Sequence, residues 1–249
     1  MEKQATARAI LIVGMGGLGV PAAGALARGK AGRIGLVDPD PVELSNLPRQ
    51  VIYGTTSLGR LKVAAAAARL LDDHPELVVE TYPVALDATN AVELIARYDF
   101  TIDATDDPAT KFLINDTCVA LGRPFVYAGV LGMTGQAMTV LPGRTACLRC
   151  LFEEPPGPGE TASCREAGIV GPIAAVIGEI EAAEALRWLG GGVPELAGKI
   201  LTYDGTASGR IRVLKVSARA GCACGAARDA ENAPAAAPER NQLRNQSSN

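Results

Sequence analysis

From Ala9 to about Val130 the chain alternates short, β-type apolar runs with stretches whose apolar positions recur at helical spacing. Such alternation predicts a parallel sheet wound with crossover helices. Ala9 to Val13 is the first expected strand and Leu18 to Gly29 the first helix; Ile34 to Val37 is the second strand, and Leu61 to Leu71 an Ala-rich helix. Val78 to Tyr82, Phe100 to Ile102 and Phe125 to Tyr127 follow as strands, separated by helices at about Asn90 to Tyr98 and Ala109 to Leu121. The expected class is α/β, with a Rossmann-like half built on a parallel sheet.

After Gly129 the alternation stops. Gln136 to Leu141 reads as an added strand that pairs antiparallel, and Ile200 to Tyr203 with Ile211 to Val216 as a closing hairpin. The tract Glu153 to Gly159, dense in Pro and Gly, is expected to be a mobile loop. Between them, Ile173, Val176, Ile177, Ile180, Ala183 and Leu186 fall on one stripe of a core helix, which turns Glu179, Glu181 and Glu184 toward water. The organisation is one domain over 1–225, with a nucleotide-binding half at about 1–130 and a second half at about 131–225. Residues 226–249, rich in Ala, Pro, Asn, Gln and Ser, are expected to form a disordered tail.

A length of 249 residues suits one large α/β domain. Apolar residues make up 48% and charged residues 20%, an ordinary globular balance, and no apolar run approaches the roughly 18 residues of a membrane span. The apolar stretch after Arg8 is too short for a signal peptide, so the expected location is cytoplasmic. A net charge of -3 provides no global attraction for nucleic acid or anionic lipid. There is one histidine, His74, which Asp-Asp-His-Pro places in a surface loop, and there are six cysteines. A single histidine excludes multi-histidine metal sites, and paired cysteines in a cytoplasmic chain point to metal or reactive thiol before disulfide.

Gly14, Gly16, Gly17 and Gly19 follow a strand and open a helix. Bare backbone there lets phosphates approach the free N–H groups and partial positive charge of a helix start. Asp38 ends the next strand, where a carboxylate can accept hydrogen bonds from ribose hydroxyls. Those features alone fit NAD, FAD or ATP. The stretch Asp38-Pro-Asp40 through Asn46, Arg49 and Gln50, followed by Lys62, adds cations that a triphosphate needs and a dinucleotide enzyme does not.

These residues resemble the ThiF/MoeB/HesA family, bacterial relatives of ubiquitin-activating enzymes. The similarity continues through Ile102 to Asp106, Lys111 to Asp116, Cys147 to Phe152, Cys164 to Gly168 and Tyr203-Asp204, and covers about residues 9–225. It implies a ubiquitin-activating-enzyme-like fold and a reaction in which ATP and magnesium adenylate the C-terminal glycine of a ubiquitin-fold sulfur carrier ending in Gly-Gly. By that resemblance Asp38 and Asp40 belong to the nucleotide site, Asn46, Arg49, Gln50 and Lys62 contact phosphates, and Asp106 supports magnesium. From the residues alone, Asp106 is equally a helix N-cap before Pro108. The reaction suits a chain with one histidine, because a C-terminal carboxylate with a pKa around 3.5 is already ionised and needs no general base.

Cys147 and Cys150 stand two residues apart, and Cys222 and Cys224 one apart. Four thiolates make a closed tetrahedral zinc site, structural in kind; the family pattern has two residues between the second pair, so one of these thiols is expected to sit awkwardly. Cys164 matches the cysteine that some family members link covalently to the carrier, and Cys118 falls in a buried helical segment. The resemblance also implies a homodimer. By the same resemblance the family's N-terminal segment, whose arginine reaches the partner's ATP site, is expected to be lacking, with Arg8 too close to the first strand to be taken as its substitute. No rhodanese-like extension follows, so a separate sulfur donor is expected. A non-catalytic nucleotide- or carrier-binding scaffold, and an NAD-dependent oxidoreductase, stay open as alternatives.

Overall fold

All five residues of β1 (Ala9–Val13) are buried in the computed structural model, which describes residues 8–157, 168–207 and 209–225. Enclosure on both faces is why this strand reads as an unbroken apolar run. β1 pairs in parallel with β2 (Arg33–Val37) on one side and β4 (Phe100–Asp103) on the other. β3 (Val78–Tyr82) lies outside β2 and β5 (Phe125–Leu131) outside β4, again in parallel. The crossovers contain α1 (Gly19–Arg28), α2 (Lys62–Asp73), α3 (Ala91–Ala96) and α4 (Pro108–Leu121). Each expected strand and helix of this half forms, with ends displaced by a few residues at most.

The sheet then continues antiparallel through β6 (Thr134–Val140), β7 (Lys199–Asp204) and β8 (Arg210–Lys215), in the order β3-β2-β1-β4-β5-β6-β7-β8. The expected added strand and closing hairpin are therefore present, and one sheet runs through both halves. Alternation along the strands divides the core. Ile10, Ile12, Ile34, Leu36 and Ile102 meet α1, α2 and a long helix α6 (Gly171–Leu189). Leu11, Val13, Phe125, Tyr127 and Met138 meet α3, α4 and a single-turn α5 (Leu148–Leu151). Cys118 is fully buried on that second face, as its segment predicts.

The exposure pattern of α6 departs from expectation. Val176 and Ala183, expected on its buried stripe, are exposed, whereas Ala174, Gly178, Ala182 and Ala185 are buried. Small residues decide the contact: a Cβ on Gly178 would stand 2.3 Å from the Leu18 carbonyl oxygen, so only a bare position lets α6 press against the start of α1. This rotation carries two of the three glutamates inward. Glu179 stays outside and pairs with Arg28, but Glu181 and Glu184 are buried. Glu184 is satisfied there. Its Oε2 accepts from the Thr139 hydroxyl (2.6 Å) and the Leu196 N–H (2.7 Å), and its Oε1 from the Glu195 N–H (3.0 Å), so it ties the turn after α6 to β6.

Glu181 has no such partners: both carboxyl oxygens are buried without a hydrogen bond. Burial, followed by the charge of Asp103, pushes its carboxyl well above the usual range, with Lys111 opposing. The folded protein thus keeps this proton to higher pH than the unfolded chain, and stability falls as pH rises from about 4.3, the ordinary glutamate value, toward the folded value. Glu181→Gln should remove that slope. The variant is expected to exceed the wild type by about 1–3 kcal/mol near neutral pH and to converge with it near pH ~4.5. Urea denaturation at the two pH values checks this, and a difference independent of pH would contradict it.

Candidate active site and candidate metal centre

The chain steps outward from β1 to β2 and β3, then returns to β4 on the opposite side of β1. That reversal leaves a crevice beyond the C-terminal ends of β1 and β4, the place where open α/β sheets bind ligands. The glycine loop leaves β1 here. Gly14 has φ 97°, and a Cβ on it would stand 2.6 Å from the Ala104 carbonyl oxygen, so both backbone conformation and space require glycine. Gly14, Gly16 and Gly17 line the cleft. Gly19 instead is buried in α1, where a Cβ would strike the Gly14 carbonyl; it allows the helix to start directly against the loop.

Asp38 follows the last residue of β2 and is buried. Its Oδ2 accepts from the Met15 N–H at 2.7 Å and its Oδ1 from the Asp40 N–H at 2.8 Å, so one carboxylate fixes the glycine loop and the next turn together. Lys62, the first residue of α2, is placed by its own N–H bond to the Asp40 carbonyl. Its buried Nζ stands 2.8 Å from Asp40 Oδ2 and 3.6 Å from Asp38 Oδ1. Asn46 closes the turn Leu44–Asn46 by accepting from the Glu43 N–H. Arg49 donates from Nη1 to the Ser45 carbonyl, with its stem against Gly171 at the start of α6. Gln50 is buried, and its Oε1 has no hydrogen-bond partner.

Asp106 reaches the same cleft. The helix N-cap is Asp107, which accepts from the Thr110 N–H at 2.8 Å, because Pro108 occupies the first helical position. The capping alternative for Asp106 is thereby corrected, and Asp106 stays exposed at the cleft. The cleft measures about 1480 Å³ and includes Asp38, Asp40, Asn46, Arg49, Gln50, Lys62 and Asp106. It runs on past Tyr127 and Gln136 to Thr202 and Arg212 on the antiparallel strands, more space than the roughly 300–1,000 Å³ of a small-molecule pocket. A bare glycine loop and two cations fit a nucleotide polyphosphate.

The four paired cysteines converge although 75 residues separate Cys147 from Cys222. Cys147 and Cys222 Sγ are 3.7 Å apart, Cys150 and Cys224 3.6 Å, and all four sulfurs lie within 4.8 Å of one another. Metal–sulfur bonds of about 2.3 Å in a tetrahedron give sulfur separations of about 3.8 Å, so the set could hold a metal ion. The one-residue spacing of Cys222 and Cys224 does not keep either thiol out of the cluster. Burial raises the Cys147 thiol, and Cys224 and Cys150 raise it further. Ionising such a group of sulfurs calls for a cation among them.

α4 holds the first pair in place. Asn115 Oδ1 accepts from the Leu148 N–H at 2.9 Å, and Asp116 takes a two-pronged bond from Arg149 at 2.7 and 2.8 Å. These roles for the stretch Lys111 to Asp116 were not foreseen from the residues themselves. Nor were those of Asp103 and Lys111, a buried pair at 3.2 Å. Cys164 lies outside the described residues, as do residues 226–249. His74 ends α2 and is not among the residues that line the cleft. Arg8 donates to the Trp188 and Leu189 carbonyls at the end of α6, and so takes no part in its own chain's cleft.

The model of the ThiF family matches residues 1–226. The sulfur carrier protein adenylyltransferase of Thermus thermophilus is 44% identical over 200 residues, covering 78% of this chain and 74% of that protein. The adenylyltransferase and sulfurtransferase MOCS3 of Bos taurus is 42% identical over 200 residues; the match covers 80% of this chain but only 44% of that longer protein. Among solved structures, E. coli MccB with MccA-N7isoASN has a TM-score of 0.77 at 22% identity, over 88% of this chain and 67% of that one, a likeness of fold. With a family match along nearly the whole chain and that degree of identity to its relatives, the chain belongs to the ThiF family.

Proposed function

We propose that the chain is an ATP-dependent adenylyltransferase that activates the C-terminal glycine carboxylate of a ubiquitin-fold sulfur carrier ending in Gly-Gly. The observation that carries this reading is the convergence of the glycine loop, Asp38, Arg49, Lys62 and Asp106 on one cleft that continues along the antiparallel strands. A nucleotide fits the first part, and an extended peptide tail the second. The names of the Thermus and bovine relatives support the same activity.

In this reaction a carboxylate oxygen of the carrier attacks the α-phosphorus of ATP, the bond from that phosphorus to the bridging oxygen breaks, and pyrophosphate leaves with the bonding pair. No proton moves, so alignment and charge neutralisation are the whole catalytic task. Asp38 holds the glycine loop and faces the ribose. Lys62 and Arg49 balance the phosphates, Lys62 as a point charge and Arg49 as a fork. Gln50, which lines the cleft, offers the phosphates its amide N–H donors, and Asp106 is the carboxylate available to a magnesium ion, which would neutralise charge on the departing phosphates.

The acyl-adenylate then serves a separate sulfur donor, with Cys164 as the candidate for a covalent link to the carrier. The cysteine cluster holds zinc in a structural role. Among the described residues no helix is long and apolar enough to cross a membrane. Exposed Leu44, Val51, Leu58 and Leu61, close in sequence to the phosphate-contacting residues, favour a homodimer with each site near the interface. Exchange of labelled pyrophosphate into ATP tests the proposal. It is expected to require a Gly-Gly-ended carrier, and its absence across a set of such carriers would overturn the reading.

A further inference from the structure

Lys111 lines the cleft, yet its ammonium is fully engaged within the protein. Nζ donates to Asp103 Oδ1 at 3.2 Å and to the Ala128 carbonyl on β5, and it stands 5.1 Å from the centre of the Tyr127 ring. A lysine so occupied is not a phosphate ligand. Its partner Asp103 is fully buried at the end of β4, and the same Oδ1 accepts from both the N–H (3.2 Å) and the hydroxyl (2.8 Å) of Thr105. Thr105 directly precedes Asp106. The adjoining Ala104 donates its N–H to the Val13 carbonyl, and its own carbonyl fills the space beside Gly14 that a Cβ would need. One buried carboxylate therefore fixes the Asp106 segment and, through Ala104, the first glycine of the loop.

We propose that Lys111 is a positioning residue: by neutralising Asp103 it holds Thr105, and thereby sets the Asp106 carboxylate and the Gly14 loop in register at the cleft. An unneutralised Asp103 in that place would be a lone buried charge, and the turn built on it would loosen. The bond to Ala128 makes the same side chain the joint between the nucleotide end of the cleft and the strand that leads to its second part. The identity of Asp106 as the magnesium carboxylate rests on the proposed function; the positioning of the 104–107 segment does not.

The test compares wild type, Lys111→Met, Lys111→Arg and Thr105→Val. Amide hydrogen exchange in the nucleotide-free protein is expected to be about tenfold or more faster for residues 104–107 and for Gly14 to Gly17 in Lys111→Met, and to return toward wild type in Lys111→Arg. Manganese binding in the presence of ATP, followed by electron paramagnetic resonance, should weaken by about tenfold in Lys111→Met and recover with arginine. Thr105→Val keeps the buried charge pair and removes only the hydroxyl bond; it should speed exchange of the 104–107 segment by several-fold, which keeps the idea testable if Lys111→Met does not fold. Exchange of that segment within about twofold of wild type in a folded Lys111→Met or in Thr105→Val would overturn the proposal. Failure of carrier-dependent pyrophosphate exchange in the wild type would instead overturn the proposed function, and the hydrogen-exchange result would still stand on its own.

Discussion

Lys62→Ala should lower carrier-dependent pyrophosphate exchange by about two to three orders of magnitude, the loss expected when a preorganised charge aimed at a reacting phosphate is removed. The size follows from the neighbours. Lys62 is buried at the start of α2 with its Nζ between Asp40 and Asp38. Removing it deletes a positive charge and also leaves two carboxylates facing a polyphosphate, so the local field changes sign. The effect should fall on kcat more than on KM for ATP, because charge accumulates on the bridging and departing oxygens as pyrophosphate leaves. Arg49→Ala should cost less: its Nη1 is already committed to the Ser45 carbonyl, and a flexible stem lets water replace part of its role. Lys62→Arg should recover little, since the planar fork needs more room than a buried point charge occupies. Exchange by Lys62→Ala at the wild-type rate would remove Lys62 from the phosphate site.

The central strand β1 was legible because burial on both faces leaves no polar position to confuse the pattern. The nucleotide residues were legible for a different reason: bare glycines after a strand, and cations beyond a strand-end carboxylate, have few other uses together. Asp107, rather than Asp106, caps α4, and that was readable in principle, because proline at the first helical position assigns the cap to the residue before it.

The burial of Glu181 and Glu184 was not readable. Helical periodicity treats every glutamate as a solvent marker, whereas the orientation of α6 is set by close approach at Gly178 and the alanines in register with it. The partners that make Glu184 tolerable, Thr139 and Leu196, come from distant strand and turn positions. Lys111 was hidden in the same way. Its role depends on Asp103 and Ala128, which only the pairing of β4 with β5 brings to one place.

Removing metal from the cysteine cluster should be the most damaging single change to stability. Structural zinc sites contribute on the order of 10 kcal/mol, which rivals the whole ~5–15 kcal/mol that separates a folded domain from its unfolded chain. The cluster's position makes that contribution unusually consequential. Cys147 caps, and Cys150 lies within, a single-turn helix too short to persist without tertiary support, and Cys222 and Cys224 follow the last strand of the sheet, whose six residues are all exposed. The ion would join two segments that the remaining packing holds weakly. Chelation, or Cys147→Ser, is expected to lower the melting temperature by at least about 10 °C, given roughly 2–4 °C per kcal/mol for a domain of this size.

Function should respond in a particular order. Phe152 and Glu154, just beyond the first cysteine pair, line the cleft, while the glycine loop and Lys62 belong to other elements. Mild zinc loss should therefore weaken carrier-dependent exchange before it weakens ATP binding. Because Cys222 and Cys224 are separated by a single residue, serine at either one asks whether both are ligands: each variant should lose metal. Metal analysis of the purified protein is expected to give about one zinc per chain, the stoichiometry of a closed four-thiolate site. Well under one zinc, or a melting curve indifferent to chelation, would leave the four sulfurs as a packed thiol cluster and transfer the anchoring of the segment after β8 to Val216 and Ala218, which pack against the same core.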